Sequence, residues 1–82
     1  MKHWVITLDW ANNGENGLQI ISVEHSFEDA QQRFQKAVEN ERKIADGNGW
    51  QIYEDDNATF DAGEDGFHIQ AHTTVRIIEV EN

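Results

Sequence analysis

The chain has 82 residues and a formal net charge of −10, because sixteen acidic side chains outnumber six basic ones. This length predicts one domain covering residues 1–82, and the charge argues against direct binding of nucleic acid or anionic lipid through a basic patch. The absence of cysteine excludes disulfides, thiolate zinc sites and thiol catalysis. No segment has the apolar length of a signal peptide or a membrane span, so we expect a cytoplasmic protein that makes no membrane contact.

Residues 2–24 predict a β-hairpin. Apolar and polar side chains alternate over residues 2–10, and residues 18–24 predict a second strand. Between them, the sequence ANNGENG has the Asn and Gly residues that tolerate positive φ, and its length predicts a loop of more than two residues. Ile20 and Ile21 are adjacent, which leaves the register of the second strand open by one residue. A β-bulge at this point would resolve the register.

Residues 26–47 form the only segment that predicts a helix. Apolar side chains recur there at three- and four-residue spacing, which is typical of a helix with one buried face. Ser26 is expected to cap the N-terminus, and Gly47 is expected to close the C-terminus in the left-handed conformation. The other face is rich in Gln, Glu, Lys and Arg and is expected to be solvated. The residues of the predicted apolar face are Phe27, Ala30, Phe34, Ala37, Val38 and Ala45.

The chain after the helix predicts two further strands. Residues 50–53 have the pattern of a short strand. Residues 54–66 are the least regular stretch, and within it residues 58–61 are a candidate for a strand continuation around a bulge. Residues 73–80 predict a strand, whereas residues 67–72 fit either an extension of that strand or a helical turn.

These elements predict an α+β fold with the order ββαββ, in which a single antiparallel sheet has the helix packed across one face. One helix covers one face only, so the second face predicts either an interface or a surface over which residues 54–66 fold. The side chains expected between sheet and helix are Trp4, Ile6, Leu8, Leu18, Ile20, Trp50, Ile52, Val75 and Ile77 from the sheet and Phe27, Phe34, Ala37 and Val38 from the helix. Those expected on the second face are Val5, Thr7, Ile21, Val23, Tyr53, Thr74, Arg76 and Ile78.

The acidic side chains of residues 54–66 offer the oxygen ligands that a hard cation such as Ca²⁺ prefers. Their spacing fails the EF-hand pattern, because counting from Asp55 places Phe60 at the sixth position and Gly66 at the twelfth. Counting from Asp61 places His72 at the twelfth position, where the pattern needs Glu. A solvated loop is therefore the favoured interpretation.

Three histidines are the other metal-ligand candidates. His68 and His72 are four residues apart, which suits a shared metal on a helix, whereas on a strand they would lie about 13 Å apart. His3 could add a third ligand only if the first and last strands were neighbours. Ordinary surface histidines are the favoured interpretation, so the sequence predicts no metal and no other cofactor.

The sequence does not predict an enzyme. Its only serines are Ser22 and Ser26, and Ser26 is already assigned to the helix cap. A general acid needs a buried carboxyl group, whereas carboxylates in a Gly- and Asp-rich loop are expected to be hydrated. The glycine-containing sequences GENG and GEDG carry acids where a bound phosphate would be repelled.

The sequence GWQIYEDDNATFDAGEDG follows a helix rich in Glu, Gln and Lys, and the first strand ends in Asp-Trp. In these features the chain resembles short acidic proteins of gut-type bacteria and of their prophages or mobile elements. The resemblance covers most of the chain and implies neither an activity nor site residues. It implies a protein that acts by binding another macromolecule.

Charge is unevenly distributed along the chain. Residues 1–45 hold seven acids and five bases, and residues 46–82 hold nine acids and one base, Arg76. Carboxylates two apart on a strand are about 7 Å apart, similar to neighbouring phosphates. We therefore expect a non-enzymatic binding module that mimics nucleic acid and inhibits a protein with a basic surface. The candidate partner-binding residues are Glu54, Asp55, Asp56, Asp61, Glu64, Asp65, Glu79 and Glu81.

Three alternatives stay open at this point. The acidic composition has a simpler explanation, which is solubility. The second sheet face favours a homodimer of unknown role. The acidic and histidine side chains allow a weak metal-binding protein.

Overall fold

The structure is a computed structural model that describes residues 1–12, 14–64 and 71–81. Within these residues, five strands form one antiparallel sheet with the spatial order β2-β1-β5-β4-β3, and the single helix packs across one face. The predicted α+β class, with its single sheet and one covering helix, is confirmed. The elements are β1 (Lys2–Asn12), β2 (Glu15–Glu24), α1 (Phe27–Asn48), β3 (Gln51–Asp55), β4 (Thr59–Gly63) and β5 (Ala71–Glu81).

The start of α1 follows the sequence prediction. Ser26 has an extended backbone, and its Oγ accepts a hydrogen bond from the N–H of Asp29 at 3.1 Å. This bond satisfies one of the free N–H groups of the first turn. Phe27 was expected in the core, but it is 54 % exposed and contacts the ring of Trp4 edge-on. The first turn therefore lies at the margin of the core.

The glycine that closes α1 lies two residues beyond the predicted one. Gly47 is helical, and Gly49 takes the left-handed conformation with φ of 70°. The N–H of Trp50 donates to the carbonyl of Ala45 at 2.9 Å, and the N–H of Gly49 donates to that of Asp46 at 3.3 Å. This pair of bonds is the Schellman motif, in which an apolar residue commonly follows the glycine. Trp50 supplies that residue, which explains why the second glycine ends the helix.

The β1–β2 hairpin is tighter than the sequence suggested. Asn12 pairs with Glu15, so positions 13 and 14 alone separate the paired strands. The prediction of a longer loop was therefore wrong. Gly14 has φ of 88°, a conformation that other residues rarely adopt, and both strands are longer than predicted.

A β-bulge in β2 decides which of its side chains are buried. Ile6 pairs with Ser22 and Thr7 pairs with Ile20, so Ile21 is the extra residue. The bulge expected at the adjacent isoleucines is confirmed, but Leu18, Ile20 and Ile21 were assigned to the wrong faces. Ile21 packs against the core, whereas Leu18 and Ile20 lie on the other face, because one extra residue reverses the alternation.

Residues 51–63 form a second hairpin, in which β3 confirms the short strand predicted at residues 50–53 and β4 lies where an irregular stretch was expected. Both Ala58 and Thr59 donate their N–H groups to Asp56 Oδ1 at 2.8 Å, and the N–H of Asp56 donates to the carbonyl of Thr59. An Asx turn of this kind reverses the chain. As a result β4 is a separate strand beside β3, not its continuation. Residues 54–64 extend the sheet and do not fold over its second face.

The core lies between α1 and the central strands. Its largest fully buried side chains are Phe34 of α1, Ile6 of β1, Phe60 of β4 and Val75 of β5. The prediction missed Phe60 because it assigned no separate strand to this part of the chain. The other buried members are Ala30, Ala37, Val38, Ala45 and Ala62, with Trp4, Leu8, Ile21, Trp50, Ile52 and Ile77 packed against them.

The strand predicted at residues 73–80 is confirmed as part of β5, which begins at Ala71. The choice between strand and helical turn for residues 67–70 lies outside the described residues. Within the described residues, no helix combines the length and apolarity needed to cross a membrane.

Candidate functional site

The sheet face opposite α1, here called the open face, carries a patch of apolar side chains. Val5 of β1 lies between two register partners, Val23 of β2 and Ile78 of β5. Leu18 and Ile20 continue the patch along β2 and are 70 % and 63 % exposed. These five side chains, here called the apolar patch, include no charged group. Apolar surface of this kind in a small protein commonly marks an interaction site.

The polar end of the open face begins directly beside Leu18, whose register partner on β1 is Asp9. Arg76 Nη1 lies 3.4 Å from Asp9 Oδ2, and Thr74 Oγ1 donates a 2.9 Å hydrogen bond to Asp61 Oδ1. Together with Tyr53 and His72, these side chains line a shallow depression of about 460 Å³. Both carboxylates already have partners within the sheet, so this end fixes the strands and bounds the apolar patch on one side.

Two of the predicted partner-binding acids have structural roles in the β3–β4 hairpin. Arg42 Nη2 of α1 donates a 2.8 Å hydrogen bond to Asp55 Oδ1, and this bond holds the pKa of Asp55 below its usual value. The same bond raises the pKa of Arg42, whose guanidinium also lies 5.1 Å from the ring centroid of Phe60. Asp56 accepts the two backbone bonds of the Asx turn.

The remaining candidate acids are dispersed. Glu54 and Asp61 are register partners on β3 and β4, so the second hairpin brings these two candidates together. Glu79 lies 3.6 Å from Lys2, at the far end of β5. Glu64 is exposed after β4, Glu81 ends β5, and Asp65 lies outside the described residues. The described acids therefore do not form one continuous surface.

The histidines are also separated. His3 of β1 is the register partner of Val80, whereas His72 of β5 is the register partner of Ala11. Ala11 lies eight positions after His3 along β1. These positions are about 27 Å apart, although β1 and β5 are neighbours. His3 instead faces His25, with ring centroids 6.2 Å apart. The described residues contain no group of three or more side chains placed to hold a metal, and His68 lies outside them.

The sequence prediction found part of the open face and missed its most exposed members. Val5, Val23 and Ile78 were expected there, whereas Leu18 and Ile20 were assigned to the core. The signal was present in the adjacent isoleucines, because a bulge at Ile21 puts Leu18 and Ile20 on the open face, whereas uninterrupted alternation puts them on the covered face.

No protein-family model matches this chain, and neither a curated protein nor a solved structure is significantly similar to it. The resemblance to short acidic proteins of gut-type bacteria and mobile elements stays a prediction.

Proposed function

We propose that this protein is a non-enzymatic binding module that forms a homodimer through the open face of its sheet. The observation that carries the proposal is the exposure of Leu18 and Ile20 on the sheet face that α1 leaves uncovered. Burying such side chains removes apolar surface from water, which favours association by roughly 25 cal/mol per Å². The occupant that we propose is a second copy of this chain.

The dimensions of the open face suit a face-to-face dimer. The three strands of ten or eleven residues span about 35 Å, and β3 and β4, of five residues each, span about 17 Å. At about 4.8 Å between strands, these lengths give a face of about 670 Å², somewhat below the roughly 800 Å² that each partner buries in a stable complex. In a two-fold dimer the same patch contacts itself, so apolar surface meets apolar surface. The two sheets would then pack as in a β-sandwich.

The distribution of charge permits this contact despite the net charge. Four ion pairs place acids beside bases, and two of these pairs, Asp55 with Arg42 and Glu79 with Lys2, involve candidate partner-binding acids. Asp9, the register partner of Leu18, lies at the patch itself and is paired with Arg76. Carboxylates more than a Debye length from the patch, about 8 Å at physiological salt, contribute little repulsion.

The same ion pairs reduce the support for nucleic-acid mimicry. A mimic needs several carboxylates in one accessible row, whereas Asp55 and Glu79 are neutralised by bases from the first half of the chain and Asp56 forms a turn. Mimicry of nucleic acid toward a basic protein stays a hypothesis with a separate test. If this hypothesis holds, the affinity of the protein for a basic DNA-binding protein falls steeply as the salt concentration rises. The affinity is also lower after Glu54→Gln and Asp61→Asn.

Sedimentation equilibrium from micromolar to millimolar chain concentration tests the homodimer. We expect the mass to rise from 9.4 kDa toward twice that value. Ile20→Lys places a charge in the patch and should abolish association, whereas Ile44→Lys, at a comparably exposed helix position, should leave it intact. A wild-type protein that remains monomeric at millimolar concentration, or an equal effect of both variants, would contradict the proposal.

A further inference from the structure

A second concave surface lies on the helix side of the sheet. It is a cleft of about 270 Å³ between α1 and the strands β1 and β2. Leu8, Ile21 and Ala37 give it an apolar lining, and all three belong to the core or pack directly against it. The amide side chains of Gln19 and Asn40 also line the cleft and supply both donors and acceptors.

Two unpaired cations adjoin this apolar lining. Arg33 and Lys36 of α1 both line the cleft and are exposed. Each of the other four basic side chains forms an ion pair with a carboxylate. In the part of the chain that the structure describes, neither Arg33 nor Lys36 has an ion-pair or hydrogen-bond partner. In a protein with a net charge of −10, the two unpaired cations therefore converge on one cleft.

The spacing of these cations favours an anionic ligand. Arg33 and Lys36 are three residues apart on a helix, so their side chains are neighbours and repel each other. An anion between them would relieve this repulsion and accept charge-assisted hydrogen bonds. Glu41 is the one carboxylate in the lining, and its Oε1 accepts a 2.7 Å hydrogen bond from Thr73 of β5. One of its oxygens is thus engaged at the sheet.

We propose that this cleft binds a small organic anion, namely a carboxylate with a short apolar chain. The carboxylate lies between Arg33 and Lys36, and the apolar chain lies against Leu8 and Ile21. The volume lies just below the usual range of ligand pockets, which starts at about 300 Å³, so the ligand is small. This site is on the opposite side of the sheet from the apolar patch and is independent of the proposed dimer.

Titration with hexanoate, followed by ¹H–¹⁵N NMR, tests the site. We expect saturable shifts at the backbone amides of Gln19, Ala37 and Asn40. Acetate has the charge without the apolar chain, and hexan-1-ol has the chain without the charge, so both should bind at least about tenfold more weakly. Equal affinity for hexanol, or shifts that do not saturate, would contradict the proposal.

A matched pair of variants distinguishes hexanoate binding in this cleft from non-specific attraction of hexanoate to basic side chains. The double variant Arg33→Gln and Lys36→Gln should weaken hexanoate binding by at least about tenfold. Lys43→Gln removes a charge from the same helix outside the cleft and should leave binding unchanged. All these side chains are exposed, so dispersed amide spectra should confirm that each variant folds. Unchanged affinity in the double variant would overturn the assignment.

Discussion

The two faces of the sheet carry similar aliphatic side chains, which are buried on one face and exposed on the other. On the covered face, Ile6 and Val75 have no exposed surface, whereas on the open face Leu18 and Ile20 are mostly exposed. The difference comes from position: α1 packs across one face only, and the bulge at Ile21 decides which residues of β2 meet it. Apolar composition alone therefore does not tell which side chains form the core and which form an interface.

Phe34→Ala should produce the largest change, because it removes the aromatic ring through which α1 packs on the covered face. We expect the free energy of unfolding to fall by roughly 3–5 kcal/mol. Urea denaturation followed by tryptophan fluorescence measures this loss. Phe34→Leu keeps most of the volume and should cost less than about 1.5 kcal/mol. A loss under 1 kcal/mol for Phe34→Ala would mean that α1 packs differently.

The adjacent isoleucines give the sharpest comparison of the two faces. Ile21→Ala should lower the free energy of unfolding by about 2 kcal/mol, because Ile21 packs against the core. Ile20→Ala should change it by less than about 0.5 kcal/mol when measured on the dilute monomer. Chemical denaturation of both variants at low micromolar concentration separates them. The reverse order would place the bulge at another residue.

Much of this architecture was predictable, and the exceptions have local causes. The helix start, the strand at residues 73–80 and the existence of the bulge followed from capping and periodicity. The exit at Gly49 did not follow, because it depends on the apolar Trp50 after it, and neither did the turn of the second hairpin, which depends on one carboxylate, Asp56. Phe60 was missed as a consequence of that turn. Each exception depends on a single side chain or a single hydrogen-bonded turn, to which patterns over ten residues are insensitive.

Ser26→Ala tests how firmly α1 is held over the covered face. The substitution leaves an N–H group of the first turn without its hydrogen bond, and we expect a loss of about 1 kcal/mol. Thermal unfolding followed by circular dichroism measures the change. Ser26→Asp retains an acceptor at the cap and should preserve stability. An equal loss in both variants would mean that the cap bond does not stabilise the helix.

The smallest effect should come from the ion pair between Arg42 and Asp55, because both side chains are well exposed. Asp55→Asn should lower stability at neutral pH by less than about 1 kcal/mol. The hydrogen bond from Arg42 lowers the pKa of Asp55, so its contribution is present above the unfolded-state pKa and is lost as pH falls through the folded-state pKa. The difference between wild type and variant should therefore shrink as the pH falls and disappear once Asp55 is protonated in the folded state. A difference that grows in acid would contradict this assignment.

The candidate surfaces were less predictable than the fold. The sequence predicts an exposed second face, but the alternation of residues 18–24 assigns Leu18 and Ile20 to the wrong side. The late acids are neighbours in the chain, whereas Asp55 and Glu79 pair with Arg42 and Lys2 from the first half. Long-range ion pairs leave no local pattern in a sequence. The cleft beside Arg33 and Lys36 was likewise invisible, because it depends on which bases remain unpaired.

The central claim is that the open face, and not the helix side, associates with a second copy. Methyl NMR over a hundredfold dilution tests it directly. We expect the methyl signals of Leu18, Ile20, Val23 and Ile78 to shift with concentration, while those of Ile6, Val38 and Ile44 stay constant. Signals that are all independent of concentration, or shifts confined to Ile44 on the helix, would contradict the account.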